Sequence, residues 1–190
     1  MKHLDLFDFI APFYAWFFNH QRKGYRHALA RLFQNEKLNG NTALDVGCGT
    51  GALSTELERY LKVKAIDGSS QMIKEAHRLN PQLELELINV THGLSYETHA
   101  FDYVFSSFVL HGLSSFQRLS LLREMKRVSL KAVIILDYHE GRHPVISLIE
   151  WIEHGDYFNF MKHFDEEILE IFDHKEILKI NAHTAFYILN

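Results

Sequence analysis

The chain has 190 residues and a mass of 22.3 kDa, is 47% hydrophobic and 23% charged, and carries a formal net charge of -4. That is one domain's worth of ordinary globular sequence, which excludes a disordered chain, a collagen-like repeat or a disulfide scaffold. The acidic balance supplies no basic surplus for gripping a phosphate backbone, so nucleic acid is not expected as a partner.

Phe9 to Phe18 is the most apolar N-terminal stretch, but it falls short of the roughly 20 residues a span needs and contains Pro12. Asp5 and Asp8 interrupt any signal-peptide pattern, so a cytoplasmic protein without stable membrane association is expected. From Gly24, the positions Tyr25, Ala28, Leu29, Leu32 and Phe33 keep helical spacing until the turn signal Asn39-Gly40-Asn41. Thr42 to Val46 is a short apolar run that enters a glycine cluster. After it, Ala52 to Leu61 places Leu53, Leu57, Tyr60 and Leu61 on one helical face.

The alternation then repeats. Val63 to Ile66 reads as a strand, Gln71 to Leu79 as a helix, Leu83 to Val90 as a strand and Tyr103 to Val109 as another. Gln117 to Val128 is a helix with Leu121, Leu122, Met125 and Val128 inward, followed by the apolar strand Ala132 to Leu136. Strands that are continuous apolar runs between helices indicate a parallel sheet covered on both faces. Glu176 to Ile180 and Thr184 to Leu189 are separated by only Asn181-Ala182-His183, too short for a helical crossover, and therefore form an antiparallel hairpin.

Gly47, Gly49 and Gly51 fall within the strand-to-helix connection Leu44-Asp45-Val46-Gly47-Cys48-Gly49-Thr50-Gly51-Ala52. Glycine suits a turn whose backbone angles are closed to residues with a Cβ and a main chain that a ligand must approach closely. Gly47, Gly49 and Ala52 satisfy a dinucleotide fingerprint formally, with Asp67 twenty residues beyond Gly47. Asp45 argues otherwise. A carboxylate at the loop entrance opposes a pyrophosphate and suits a ligand with an ammonium group.

Leu44 to Gly51 resembles the first motif of the class I S-adenosylmethionine-dependent methyltransferases. Ala65-Ile66-Asp67-Gly68-Ser69 with Gln71-Met72-Ile73 resembles the family's second-strand acidic motif, and Phe101 to Val104 with Ser106 to His111 its fourth-strand motif. Leu122 to Met125 with Arg127-Val128 resembles the helix leading into its fifth strand. The resemblance covers Thr42 to about Tyr138 and implies a Rossmann-like, doubly wound, mostly parallel seven-stranded sheet closed by the antiparallel hairpin, with helices on both faces. It also implies one undivided methyltransferase domain over 1–190: an N-terminal helical lid or cap (1–39), a cofactor-binding core (42–138), a helical insert (144–172) and the hairpin (174–190).

The cofactor so implied is S-adenosylmethionine, with S-adenosylhomocysteine as product. Its amino acid part would lie on the backbone of Gly47, Cys48, Gly49 and Gly51 near Asp45. Its ribose would go to Asp67 beside Gly68 and its adenine to Met72, with Ser106 also in the site. The family often carries an acidic residue after its third strand, and here Asn89 and Val90 stand in that place, offering an amide oxygen and backbone groups.

Methyl transfer from a sulfonium is an in-line displacement that depends mostly on holding the nucleophile behind the methyl group; a general base helps where the acceptor must lose a proton. His111, just after the fourth strand, is the candidate base, the alternative being a helix-start histidine bonded to backbone. His139 follows the fifth strand on the same rim. It lies four residues before His143, but Gly141 and Pro144 make a regular helix there improbable, and no metal is expected despite 13 histidines. The aromatic run from Phe7 to Phe18 is either a lid that excludes water, with Tyr14 touching cofactor, or a helix packed permanently on the sheet. Acidic residues of the insert, among them Glu150, Glu153, Asp156 and Asp165 to Glu167, either attract a cationic acceptor or form a solvated face.

No Asp/Asn-Pro-Pro-aromatic string and no Pro-Cys pair is present, which sets aside the amino-methylating and cytosine C5 DNA enzymes, and the single cysteine sets aside arsenic methylation. A small-molecule N, O or C acceptor remains as the expected partner. The alternatives are an NAD(P)-dependent oxidoreductase and a non-catalytic S-adenosylmethionine-binding protein.

Overall fold

A computed structural model describes residues 3–90, 93–139 and 157–190, and the side chains of the first helix from residue 18 onward. In chain order these residues form helix α1 (His3–Asn35), β1 (Thr42–Val46), α2 (Ala52–Leu57), β2 (Lys62–Asp67), α3 (Ser70–Leu79), β3 (Glu84–Leu87) and β4 (Phe101–Ser107). A single 3-10 turn (Leu110–Gly112) precedes α4 (Ser115–Val128) and β5 (Ser129–Tyr138), and α5 (Tyr157–Leu169), β6 (Lys175–Lys179) and β7 (Thr184–Leu189) complete the chain. The strands make one seven-stranded sheet in the order β3-β2-β1-β4-β5-β7-β6. Pairs β1 with β2, β2 with β3 and β4 with β5 are parallel, while β7 runs antiparallel to both β5 and β6. This is the mostly parallel sheet with an antiparallel C-terminal hairpin that the pattern predicts.

The chain divides into two compact units, Met1–His92 and Gly93–Asn190. In the first, Ala43, Leu44 and Val46 of β1 are fully buried, as are Leu29 and Leu32 on the inner face of α1. The expected helix 52–61 ends at Leu57, where Tyr60 N–H tightens onto the Leu57 carbonyl at 2.8 Å and turns the chain into β2. Tyr60 keeps its packing role outside the helix by stacking on Phe33 with ring centroids 4.1 Å apart.

Helix α1 is bolted to α2 by a carboxylate. Glu56 is fully buried and accepts from Arg22 at 2.8 Å, from Arg26 at 2.9 Å and from Arg59 at 3.4 Å. The guanidinium hydrogen bonds, that of Arg26 foremost, hold its pKa at about 2, against the desolvation that burial imposes.

In the second unit, Val104 and Phe105 of β4 and Val133 to Ile135 of β5 form a fully buried pair of strands. Helix α4 begins with a complete capping box between Ser114 and Gln117. Its Arg118 is wholly enclosed and reaches α5, with Nε donating to Glu167 Oε2 at 2.5 Å and Nη2 to Oε1 at 2.8 Å. Further along α4, Arg127 grips Glu124 and the carbonyls of Leu94 and Tyr96, each at 2.8 Å, while Glu124 accepts the Leu94 N–H at 2.9 Å. The sequence segment that resembles a family motif thus fixes the loop leading into β4. At the hairpin, Asn181 Oδ1 accepts the N–H groups of His183 at 2.8 Å and Thr184 at 3.0 Å and shapes the turn.

Because the native pKa of Glu56 lies below its ordinary value, it contributes stability that is present above about pH 4.3 and lost as pH falls through about 2. Glu56→Gln is expected to lower unfolding free energy by roughly 2 kcal/mol at neutral pH, a moderate figure because the arginines remain partly in solvent. Urea titrations of both proteins should converge as pH falls through that window. Equal stabilities at neutral pH would contradict the role.

Candidate active site

The loop that leaves β1 is held in shape by its own backbone and by one carboxylate. Gly47 and Cys48 N–H donate to the Ile66 carbonyl at 2.9 and 3.0 Å, and Gly51 N–H donates to the Cys48 carbonyl at 2.9 Å. Gly49 and Gly51 take φ of +53° and +79°, the left-handed region that glycine reaches without strain. A Cβ at Gly51 would also meet Leu83 Cδ1 at 3.1 Å, whereas one at Gly49 would meet nothing within 4 Å. Gly49 is therefore required for its conformation, and the space beside it is open to a ligand.

Asp67 ends β2 half-buried. Its Oδ2 accepts Gly49 N–H and its Oδ1 accepts Ser69 N–H, both at 2.8 Å, which ties the loop to the start of α3. Ser69 caps that helix by accepting Met72 N–H at 3.1 Å. Gly68 is half-buried beside Asp67, and Met72 is 2% exposed on the inner face of α3. Asn89 and Val90 follow β3 half-buried, where Ile88 N–H donates to the Asp67 carbonyl at 3.0 Å.

Asp45 lies deeper, fully buried at the end of β1. Ser54 Oγ donates to its Oδ2 at 2.5 Å, and among the described residues nothing donates to Oδ1. Burial pushes its pKa up to about 7; Ser54 opposes that shift and the Asp67 charge adds to it. An enclosed carboxyl with an unfilled oxygen is a receptor for a cation. Burial, with the charges of Asp45 and Asp67, raises the Cys48 thiol well above its ordinary range, so Cys48 contributes backbone, and its Sγ stays a thiol 3.7 Å from the Gly49 carbonyl.

In the second unit Ser106 is buried within β4. His111 sits in the 3-10 turn after β4, with Nδ1 2.7 Å from Asp137 Oδ1 near the end of β5. His139 Nδ1 is 3.1 Å from Tyr187 Oη, which itself donates to the Tyr138 carbonyl at 3.0 Å. The acidic residues of α5 are engaged: Glu167 by Arg118, Asp165 by Lys175 at 2.8 Å, and Glu166 with His163 at 3.2 Å. Tyr14 falls within α1, but its side chain lies outside the described residues, as do residues 144–156 of the expected insert, Glu150, Glu153 and Asp156 included. Among the described residues no group of three or more His, Cys, Asp or Glu is placed to hold a metal, and no helix is long and apolar enough to cross a membrane.

A sequence-family model described as "Methyltransferase domain" matches residues 43–131, which contain the glycine loop, Asp67 and His111. Over that segment the chain is similar to methyltransferase domains. A demethylmenaquinone methyltransferase of Oceanobacillus iheyensis is 35% identical to this chain over 114 residues, covering 54% of this chain and 47% of that protein. The chain thus spans about half the length of that curated relative. The DhpI–SAH complex superposes with a TM-score of 0.74 at 16% identity, over 99% of this chain and 94% of that one. A SAM-dependent methyltransferase from Aquifex aeolicus gives 0.63 at 19% identity, over 85% and 88%. At such identities the likeness is one of fold.

Sequence reasoning did not single out Asp137, although an ionisable residue closing the apolar run Ala132 to Leu136 was a visible signal. A carboxyl whose native pKa is raised favours the unfolded state as pH rises from about 4 to about 7, the interval in which only the unfolded chain has lost the proton. Asp45→Asn is therefore expected to stabilise the ligand-free protein by about 1–3 kcal/mol near pH 8, with little change near pH 4. Urea unfolding at both pH values checks this, and a variant less stable than the parent near pH 8 would contradict it.

Proposed function

We propose that this chain transfers a methyl group from S-adenosylmethionine to a small-molecule N, O or C acceptor by in-line displacement, in the cytoplasm, and releases S-adenosylhomocysteine. The observation that carries the reading is Asp45: a buried carboxyl with an oxygen no described residue fills, at the entrance of a loop whose Gly49 faces open space. A pyrophosphate would be repelled there, whereas the α-ammonium of a methionine tail supplies the missing donor. The residues present therefore fit this cofactor. When bound, it supplies an electrophilic methyl group on a sulfonium.

The chain's own part is to bind and orient. Asp45 Oδ1 would receive the ammonium, and the backbone from Gly47 through Cys48 and Gly49 to Gly51 would line the amino acid portion. Asp67, already locked by Gly49 and Ser69, would accept from the ribose hydroxyls on a carboxylate that has no freedom left to lose. Gly68 stays with Asp67 on the ribose side, and Met72, Asn89 and Val90 are assigned to the adenine. Ser106 remains assigned to the site from β4, and His139 and Tyr14 to the acceptor side. His111 is assigned the proton-handling role. The relative named demethylmenaquinone methyltransferase is in keeping with a small-molecule acceptor.

Calorimetric titration with S-adenosylmethionine, S-adenosylhomocysteine and NADH tests the assignment. Binding of the first two and not of NADH is expected, and Asp67→Ala should weaken binding by roughly 1.5–3 kcal/mol, about ten- to a hundredfold. Absence of heat with both sulfur compounds, or tight NADH binding, would contradict the proposal.

A further inference from the structure

We propose that α1 docks the protein reversibly on an anionic lipid surface, through one row of the helix that begins aromatic and ends basic. The proposal concerns the first unit alone and is independent of the methyl-transfer reading.

In the sequence, the aromatic stretch up to Phe18 and the helical pattern from Gly24 are separate features. In the structure they are one helix of 33 residues, His3–Asn35. Phe18, Ala28, Leu29 and Leu32 are buried on its inner face, whereas His20, Lys23 and His27 on the opposite row are exposed, with Arg31 half-buried at the end of that row. These positions step by three or four, the spacing of one helix face. Phe9, Phe13 and Trp16 continue the same period toward the N-terminus. Tyr14 falls outside that period, so the row leaves its assignment to the acceptor side untouched.

Charge is distributed to match. Between Asp8 and Glu36 the chain has no acidic residue, while Arg22, Lys23, Arg26 and Arg31 all lie there. Beside the row, Arg22 and Arg26 meet Arg59 on the single carboxylate of Glu56, so three guanidinium groups share one negative charge. The side chains of Arg26 and Arg59 are 52% and 54% exposed, so the surplus positive charge faces water. A chain of net charge -4 thus carries a cationic strip along one helix. An acidic protein or a nucleic acid would answer the charge but leave the aromatic positions unused. The headgroup layer of a bilayer answers both, because anionic phosphates attract the basic residues while tryptophan and phenylalanine rings settle at the boundary beneath them. From Phe9 to His27 the row extends roughly 27 Å at about 1.5 Å per residue, so the helix lies along the surface.

Flotation of the full chain with vesicles of mixed phosphatidylglycerol and phosphatidylcholine tests the docking. Binding to the mixed vesicles at low salt is expected, with little to vesicles of phosphatidylcholine alone. Lys23 is exposed, and Lys23→Glu should weaken binding roughly tenfold or more, since each charge beside an anionic surface counts and this one is reversed. The chain has two tryptophans, so Trp151→Phe leaves only Trp16, whose fluorescence should shift to the blue when the mixed vesicles are added. Trp16→Ala reads the same position without touching Trp151 and should also weaken binding. No binding to the mixed vesicles, equal binding to the neutral ones, or unchanged binding in a folded Lys23→Glu or Trp16→Ala overturns the proposal, as does an unshifted Trp16. Retention on heparin without vesicle binding would give the basic row to a soluble polyanion and overturns it too. No measurement here uses S-adenosylmethionine, so a failure is separate from a failure of the cofactor reading.

Discussion

A carboxylate sealed at the end of a central strand governs what the first unit is for. Asp45 is enclosed on all sides, bonded on one oxygen by Ser54 and unfilled on the other, and its pKa stands near 7 as a result. Left ionised and unpaired it destabilises the fold; matched by a cation it becomes an anchor. The glycine loop above it follows from the same constraint. The loop above it is main chain without side chains at Gly47, Gly49 and Gly51, and the space beside Gly49 is open.

The other buried charges do the opposite work. Glu56 and Glu167 are each satisfied by guanidinium groups, and each joins helices that the apolar pattern alone would leave free to slide. Glu56 joins α1 to α2, whereas Glu167 joins α4 to α5 and, through Arg118, steadies the turn that holds His111. Completely paired carboxylates hold the scaffold rigid, and the incompletely paired ones, Asp45 and Asp137, stand at the carboxyl ends of β1 and β5. That division separates frame from function more sharply than residue type does, since the chain has 24 acidic residues in all.

Much of the architecture was legible because apolar period and glycine placement are local properties. The strands from β1 to β7 and the reversal at Asn181 follow from runs and spacings within a few residues of each other. Helix α2 was read too long because Tyr60 and Leu61 keep the helical period while packing elsewhere, Tyr60 on Phe33. In the loop, Asp45, the glycines and Asp67 stand out in the sequence because each lies at or just beyond the end of a short apolar run. Asp137 was missed because its meaning lies in a partner 26 positions away, and the same holds for Arg118 with Glu167, 49 apart. The residues resembling a family motif around Glu124 and Arg127 turned out to hold the Leu94–Tyr96 loop, a use that only the folded chain displays.

The central claim is that Asp45 waits, partly protonated near neutrality, for a cation carried by the cofactor. It predicts that a cofactor bearing an ammonium drives the proton off. Calorimetry of S-adenosylmethionine binding near pH 6.5, repeated in two buffers of different ionisation enthalpy, counts that proton. The account predicts net proton release in wild type that disappears in Asp45→Asn; binding with no proton exchanged, or with the same release in the variant, would contradict it.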